Sequence, residues 1–336
     1  MADYFNNLIG QSQAVGLLTQ AVERDRLAPA YLFTGSAGVG RSLAVKGFIE
    51  LIFSRRRKKQ TADPKLHQRI RERNHPDLLW VEPTYLHQGK RFSEREMIEA
   101  GLKRKARPQI RLDQIREVSQ FLSRSALETH RLIVVLEGAE TMAEAAANGL
   151  LKTLEEPEQA SLILMATSAD TLLPTLVSRC ATIPFRRLGQ ADLATVLHQV
   201  DAAEILNHPE ILAMAQGSPG QAINHWQQLQ ALEPEFLKQL EQLPQTLREA
   251  LTLAKQVSQT LDPDAQLWLT EYLQQKYWQQ YFQRYSQLAT GRDPVTPINP
   301  QFLRTLEISR EQLRKYVQPR LVWECTFLSL CQPSRA

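Results

Sequence analysis

Cysteine is scarce in this sequence: among 336 residues there are three, Cys180, Cys325 and Cys331. Thiols so few and so scattered build neither a disulfide framework nor a four-thiolate zinc site. Long apolar runs are missing too, since no stretch approaches the ~18 residues that a membrane-spanning helix needs. The opening residues, MADYFNNLIG, lack the basic-then-apolar layout of a secretory leader. The expectation is a soluble, cytoplasmic chain with no membrane partner. A strong charge excess is also absent, because 40 Lys+Arg stand against 36 Asp+Glu for a net of +4. With 43% hydrophobic and 23% charged residues, disordered and fibrous classes are excluded. The length suggests two or three domains.

What basicity exists is local. Residues 54–73 carry a net of +7 and residues 90–107 a net of +4, which leaves the remainder acidic. Segments of this kind contact phosphates by releasing counterions, or they are simply solvated insertions; the sequence leaves both open.

The first half alternates strand-like and helix-like patterns. Ala30–Thr34, Leu78–Val81, Arg131–Leu136, Leu162–Ala166 and Ala181–Phe185 are short apolar runs bounded by polar or turn residues. Continuous runs of this length suit strands covered on both faces. Helical periods lie between them at Ser42–Phe53, Ile110–Ser123 and Ala143–Leu154, the last stopped by Glu155-Glu156-Pro157. This predicts an α/β parallel sheet. Beyond it come short helices broken at Asn207-His208-Pro209 and Gly217-Ser218-Pro219-Gly220. Longer helices follow, with breaks at Asp262-Pro263 and from Gly291 to Pro300. The expected domains are residues 1–186, 187–231 and 232–336.

Gly35-Ser36-Ala37-Gly38-Val39-Gly40-Arg41-Ser42 follows a predicted strand and opens a predicted helix. It fits the phosphate-cradling loop G-x-x-x-x-G-K-[ST] at every fixed position but the lysine, which is Arg41. Glycines let backbone N–H groups converge on phosphate oxygens, and the helix N-terminus adds partial positive charge. A guanidinium fork does not replace the compact lysine ammonium. A magnesium-holding, water-orienting acidic pair is expected after a neighbouring apolar strand. Glu137 stands at the magnesium side, but Gly138 stands where the catalytic glutamate is needed. Thr167 is a polar residue just after another predicted strand. Hydrolysis in this pocket is therefore not expected, while ATP and magnesium binding at the degenerate loop stays open.

GSAGVGRS, IRLDQIREV (Ile110–Val118), VVLEGAE (Val134–Glu140), ANGLLKTLEEP (Ala147–Pro157) and LLPTLVSRC (Leu172–Cys180) occur in this order. Together they resemble the bacterial clamp-loader subunits of DNA polymerase III, members of the AAA+ superfamily. The resemblance implies a RecA-like sheet domain, a small helical lid and a helical collar through which subunits form a ring. It also implies gamma or tau and delta subunits, the sliding clamp and primed DNA as partners. Gln221, where ATPase-competent relatives place an arginine sensor, agrees with Arg41 and Gly138. The set is most similar to the family's non-hydrolysing member. On that resemblance Arg179 is an arginine finger offered to ATP in an adjacent subunit, Ser178 orients its helix, and Cys180 is packed rather than reactive. Relatives often carry a four-cysteine zinc module after the phosphate loop. Here His67 and His75 lack thiolate companions, so no zinc is expected. The same motifs leave an active gamma- or tau-like ATPase and a stand-alone DNA-binding protein as rivals, with a small-molecule kinase last.

Overall fold

The computed structural model describes residues 3–55, 63–102, 107–155, 160–242, 244–288, 301–315 and 317–331. Residues 56–62 and 103–106, parts of the two basic segments, lie outside the described residues, as do Glu156-Pro157 and the break at 291–300. The chain divides into two compact units, Met1–Asp192 and Leu193–Ala336.

The first unit begins with a 3₁₀ turn at Asp3–Phe5 and helix α1 (Ser12–Glu23), followed by β1 (Ala30–Thr34) and α2 (Arg41–Ser54). Next come α3 (Pro64–Arg71), β2 (Leu78–Val81), β3 (Tyr85–His87), β4 (Lys90–Phe92), α4 (Glu94–Glu99) and α5 (Leu112–Leu122). The unit closes with β5 (Leu132–Leu136), α6 (Glu144–Glu155), β6 (Ala160–Ala166), α7 (Pro174–Val177) and β7 (Ala181–Pro184). Among the described residues one sheet has the order β2-β5-β6-β1-β7, and every pairing in it is parallel.

The strands read as unbroken apolar runs because both faces are covered, and the pleat sends alternate residues to opposite sides. Tyr31 and Phe33 of β1, with Ile133, Val135, Ile163 and Met165, join Phe48 and Ile49 of α2 and Leu18 of α1 in one core. Ala30 and Leu32, with Val134, Leu136, Leu162 and Leu164, face Ile115 and Val118 of α5 and Leu150 of α6 in the other. A one-residue slip would exchange the two sets, so register is strongly specified.

Helix starts follow local chemistry. Asp63 accepts from the Lys65 amide, with Pro64 at the first helical position of α3. Ser93 and Glu96 close a reciprocal capping box on α4. The antiparallel β3–β4 hairpin and α4, of which β4 and α4 lie inside the second basic segment, are elements that the sequence pattern does not announce. The hairpin strands are three residues each, too short for a periodic signal.

The second unit is helical: the last turns of α8 (Gln190–Gln199), then α9 (Pro209–Ala215), α10 (Pro219–Gln230) and α11 (Pro234–Glu241). After these come α12 (Leu247–Thr260), α13 (Pro263–Leu288), α14 (Gln301–Arg314) and α15 (Pro319–Leu330). α9 packs on α10 and α13, while α12, α14 and α15 pack together. Its core centres on Trp323, Tyr272 and Phe327. The Trp323 indole N–H donates to buried Gln266 Oε1 at 2.9 Å, and the Tyr272 hydroxyl to Glu241 at 2.6 Å. These two buried donors are thus partnered, which helps fix the relative rotation of these helices. No helix among the described residues is long and apolar enough to cross a membrane.

Candidate functional site: a closed phosphate loop and an arginine at the opposite edge

Gly35–Gly40 connects the carboxyl end of β1, which lies between β6 and β7, to the N-terminus of α2. Gly35 has φ +152°, and a Cβ there would stand 2.6 Å from the Phe185 carbonyl oxygen, so only glycine fits beside the end of β7. Gly38 and Gly40 are also left-handed, at +77° and +102°. Val39 is buried, and Ser42 lies half-buried in the first turn of α2. The loop is stapled from outside. Gln11, 3% exposed, donates to the carbonyls of Val39 at 3.2 Å and Arg186 at 2.7 Å, and accepts from the Arg186 amide at 3.1 Å. Arg187 adds a bond to the Ser36 hydroxyl at 3.1 Å.

Arg41 does not reach outward as a phosphate ligand would. Its guanidinium donates to the carbonyl of Ala166, the last residue of β6. Burial lowers its pKa, and the nearby carboxylates of Glu140 and Glu137 act in the opposite sense. Arginine remains cationic at any ordinary pH, so the cradle carries its own positive charge folded onto the strand end.

Glu137 is equally occupied. Its Oε2 accepts from the Trp80 indole at 2.9 Å and from the Arg73 guanidinium at 3.0 Å. Arg73 also bonds Glu82 at 2.8 Å and lies 4.4 Å over the Trp80 ring. A carboxylate already holding two donors has less to offer a magnesium ion, which demands near-ideal octahedral oxygen geometry. At Gly138, φ is +64° and an added Cβ would come within 3.0 Å of Pro83. The backbone itself therefore resists an acidic side chain at that position. Glu140 lies half-buried in the following 3₁₀ turn, with one carboxylate oxygen buried and unpartnered. Thr167 is exposed just after β6.

Arg179 sits elsewhere. β7 runs parallel to β1 with Ala181 opposite Tyr31, so Arg179 precedes β7 at the amino edge of the sheet. Gly35 lies four residues beyond Tyr31 at the carboxyl edge, about 13 Å farther along the strand direction. Arg179 is exposed, and its guanidinium turns back to donate to the Thr175 carbonyl at 3.1 Å. Ser178 also bonds Thr175 O, at 3.1 Å, tightening the short helix that presents the arginine. Burial pushes the neighbouring Cys180 thiol up to about 11. The arrangement unites Gly35–Ser42, Arg41, Glu137 and Gly138 at one edge and leaves Arg179 at the other. Gln221 lies in the first turn of α10, in the second unit.

His67 and His75 serve locally. His67 Nδ1 lies 2.9 Å from Glu50 Oε2, and buried His75 stacks at 4.7 Å on Phe53 while its Nδ1 accepts from the Asp77 amide. No group of three His, Cys, Asp or Glu among the described residues is arranged to hold a metal ion. Gln11, Trp80 and Arg73 were missed by sequence reasoning. Gln11 and Trp80 carry no local pattern, and Arg73 reads as one more charge in a basic run.

A glycine loop between an interior strand and its following helix, in an all-parallel sheet of this order, defines a RecA-like P-loop domain of the AAA+ type, here with Arg41 and Glu137 engaged internally. Residues 10–189 match the family described as "DNA polymerase III, delta subunit", and residues 191–330 the one described as "Cyanobacterial DNA polymerase III delta prime, C-terminal domain". The chain belongs to the DNA polymerase III delta-prime family. It is 31% identical over 180 residues to DNA polymerase III subunit delta′ of Bacillus subtilis, covering 53% of this chain and 48% of that one. To the same subunit of Pseudomonas aeruginosa it is 33% identical over 210 residues, covering 60% and 57%. The Bacillus subtilis tau subunit matches at 23% over 261 residues, 76% of this chain and 41% of that one. The chain spans about half the length of the curated relatives it matches.

Proposed function

We propose that this chain acts as a delta-prime subunit of the polymerase III clamp loader: a member that hydrolyses no ATP in its own pocket and lends Arg179 to ATP bound by an adjacent gamma- or tau-type subunit. The observation that carries the reading is the separation of the two halves of an ATPase site onto opposite edges of one sheet. Arg179 and its own loop are separated by the length of β1, so the arginine can serve only a nucleotide held by another chain. At the loop, Arg41 bonds the β6 carbonyl, Glu137 is held by Trp80 and Arg73, and Gly138 has the wrong backbone for an acidic replacement. These features disfavour the active-ATPase rival.

A planar guanidinium placed at the γ-phosphate neutralises charge that develops in the transition state, an effect on the order of 10³–10⁵ in rate where it has been dissected. On this reading residues 187–231 form a lid and residues 232–336 a collar that joins the subunit ring. Delta and gamma or tau subunits, the sliding clamp and primed DNA are the partners. The test is reconstitution with its partner subunits. Arg179→Ala should leave folding and assembly intact and depress DNA-dependent ATP turnover and clamp loading; undiminished turnover would refute the finger.

A further inference from the structure

The sequence predicts a boundary between residues 231 and 232, yet Leu193–Ala336 folds as one compact unit. A stripe on α13 joins the two sides. Trp268, Tyr272 and Lys276 are spaced four apart, so they stand on one face of the helix. That face meets α9 and α10 from before the expected boundary and α11 from after it.

Buried Trp268 donates its indole N–H to His225 Nδ1 of α10 at 3.1 Å. Indole nitrogen only donates, so His225 must accept as a neutral imidazole. Burial lowers the His225 pKa in the same sense, with Glu271 opposing. Tyr272 stacks on Trp268, ring centroids 5.3 Å apart, and its hydroxyl turns the other way, to Glu241 of α11. Lys276 Nζ lies 3.2 Å from the same Glu241 Oε1 and 3.8 Å from Glu210 Oε1 at the start of α9. Glu210 is 7% exposed and lies 3.3 Å from His208 Nδ1. Two carboxylates from either side of the expected boundary therefore share one ammonium. Displacing α9 or α10 would strip Glu210 of Lys276 and Trp268 of its acceptor. A buried polar or charged group left without its partner costs its full desolvation.

We infer that α9 and α10 of the proposed lid and α11 and α13 of the proposed collar move as one rigid body, locked by Trp268, Tyr272 and Lys276, so that this lid does not swing against its collar. The names lid and collar rest on the function proposed above, whereas the joint itself belongs to the isolated chain. A lid that closes over a bound nucleotide must move. One held to the collar helices by buried, directional contacts cannot close by itself, which suits a subunit that serves as a fixed mount for Arg179.

Native-state hydrogen exchange on the full chain tests the joint. In the parent, amides of residues 209–230 should be protected to within about tenfold of those of residues 263–279, as members of one cooperative unit are. Trp268→Phe keeps a ring on Tyr272 but removes the N–H, and should speed exchange over 209–230 about fivefold, the worth of one neutral hydrogen bond. Lys276→Met should speed it at least about tenfold, the worth of a charged one, and Lys276→Arg should restore most of the protection. Residues 319–330 should keep the parent rates throughout. Spin labels at exposed Gln227→Cys and native, exposed Cys325, with Cys180 and Cys331 replaced by alanine, should give one narrow distance distribution. It should be the same in the isolated chain and in the reconstituted complex with and without ATP. Exchange over 209–230 a hundredfold faster than over 263–279 in the parent, variants without effect there, or a broad or ATP-dependent distance would overturn the inference. Trp268→Phe decides the matter if Lys276→Met fails to fold. Failure of the complex to assemble would count against the proposed function, and the isolated chain would still decide the joint.

Discussion

The carboxyl and amino edges of the sheet in the first unit hold the glycine loop and Arg179 respectively, and treat their polar groups in opposite ways. At the carboxyl edge three polar groups are engaged inside the chain: Arg41 by the Ala166 carbonyl, Glu137 by Trp80 and Arg73, the Val39 carbonyl by Gln11. At the amino edge Arg179 stays exposed on a four-residue helix tightened by Ser178. Internal satisfaction makes a rigid loop that gains little from a ligand, because a ligand must first displace bonds already formed. The Arg179 guanidinium, by contrast, is exposed and donates to the Thr175 carbonyl of its own short helix. On the proposed function, the difference is that between a pocket without a reaction of its own and a surface offered to a neighbour's.

The sharpest way to break this comparison is to exchange the arginine. In the reconstituted complex, Arg179→Ala should cut ATP turnover at the site facing it on the order of 10³-fold, and Arg179→Lys should restore little, since a point ammonium cannot replace the fork. The isolated variant should melt within about 1 °C of the parent, because surface changes usually stay within ~0.5 kcal/mol. A melting shift of several degrees would mean that the arginine holds the fold rather than serving a partner.

The converse attack is on the closed edge. Gly138→Glu restores the missing carboxylate to the sequence but meets φ +64° and Pro83 at 3.0 Å. It should destabilise by about 1–3 kcal/mol in urea unfolding and yield no ATP turnover in the isolated chain, even combined with Arg41→Lys. Magnesium-dependent turnover in that double variant would show the pocket to be two residues from activity, not rebuilt around its loss. A smaller effect is expected at Trp80. Trp80→Phe keeps a ring under Arg73 but removes the indole N–H from Glu137, and should cost about 1 kcal/mol.

Much of this was legible beforehand, and the part that was not has a common physical origin. All five strands of the parallel sheet announce themselves, because residues such as Ile133 and Val134 are buried on opposite faces and leave an unbroken apolar run. Gly35–Ser42 is readable because its glycines answer to close backbone approach, as the Phe185 carbonyl confirms at Gly35. What Arg41 does was not readable. Its guanidinium meets Ala166, and the two residues come together only when β6 pairs with β1. The same holds for Gln11 and Arg186, and for Arg73 with Glu137: long-range partners leave no periodic trace. The β3–β4 hairpin and α4 were hidden differently, being too short for a pattern and set in a run that reads only as charge.

The finest probe of the comparison is the thiol beside the finger. Cys180 shares the amino edge with exposed Arg179, yet burial raises its pKa to about 11. The direction decides the sign: at pH 8 a thiol titrating near that value is thiolate in about one molecule per thousand, whereas an ordinary cysteine near 8.5 is ionised in roughly a quarter. Alkylation requires the thiolate. Mass-spectrometric mapping after iodoacetamide at pH 8 should therefore find exposed Cys325 modified well before Cys180, and the gap should narrow as pH rises towards 10. Cys180 reacting as fast as Cys325 at pH 8 would mean that the backbone under Arg179 opens readily, and the amino edge would then be a mobile loop rather than a firm mount for a borrowed guanidinium.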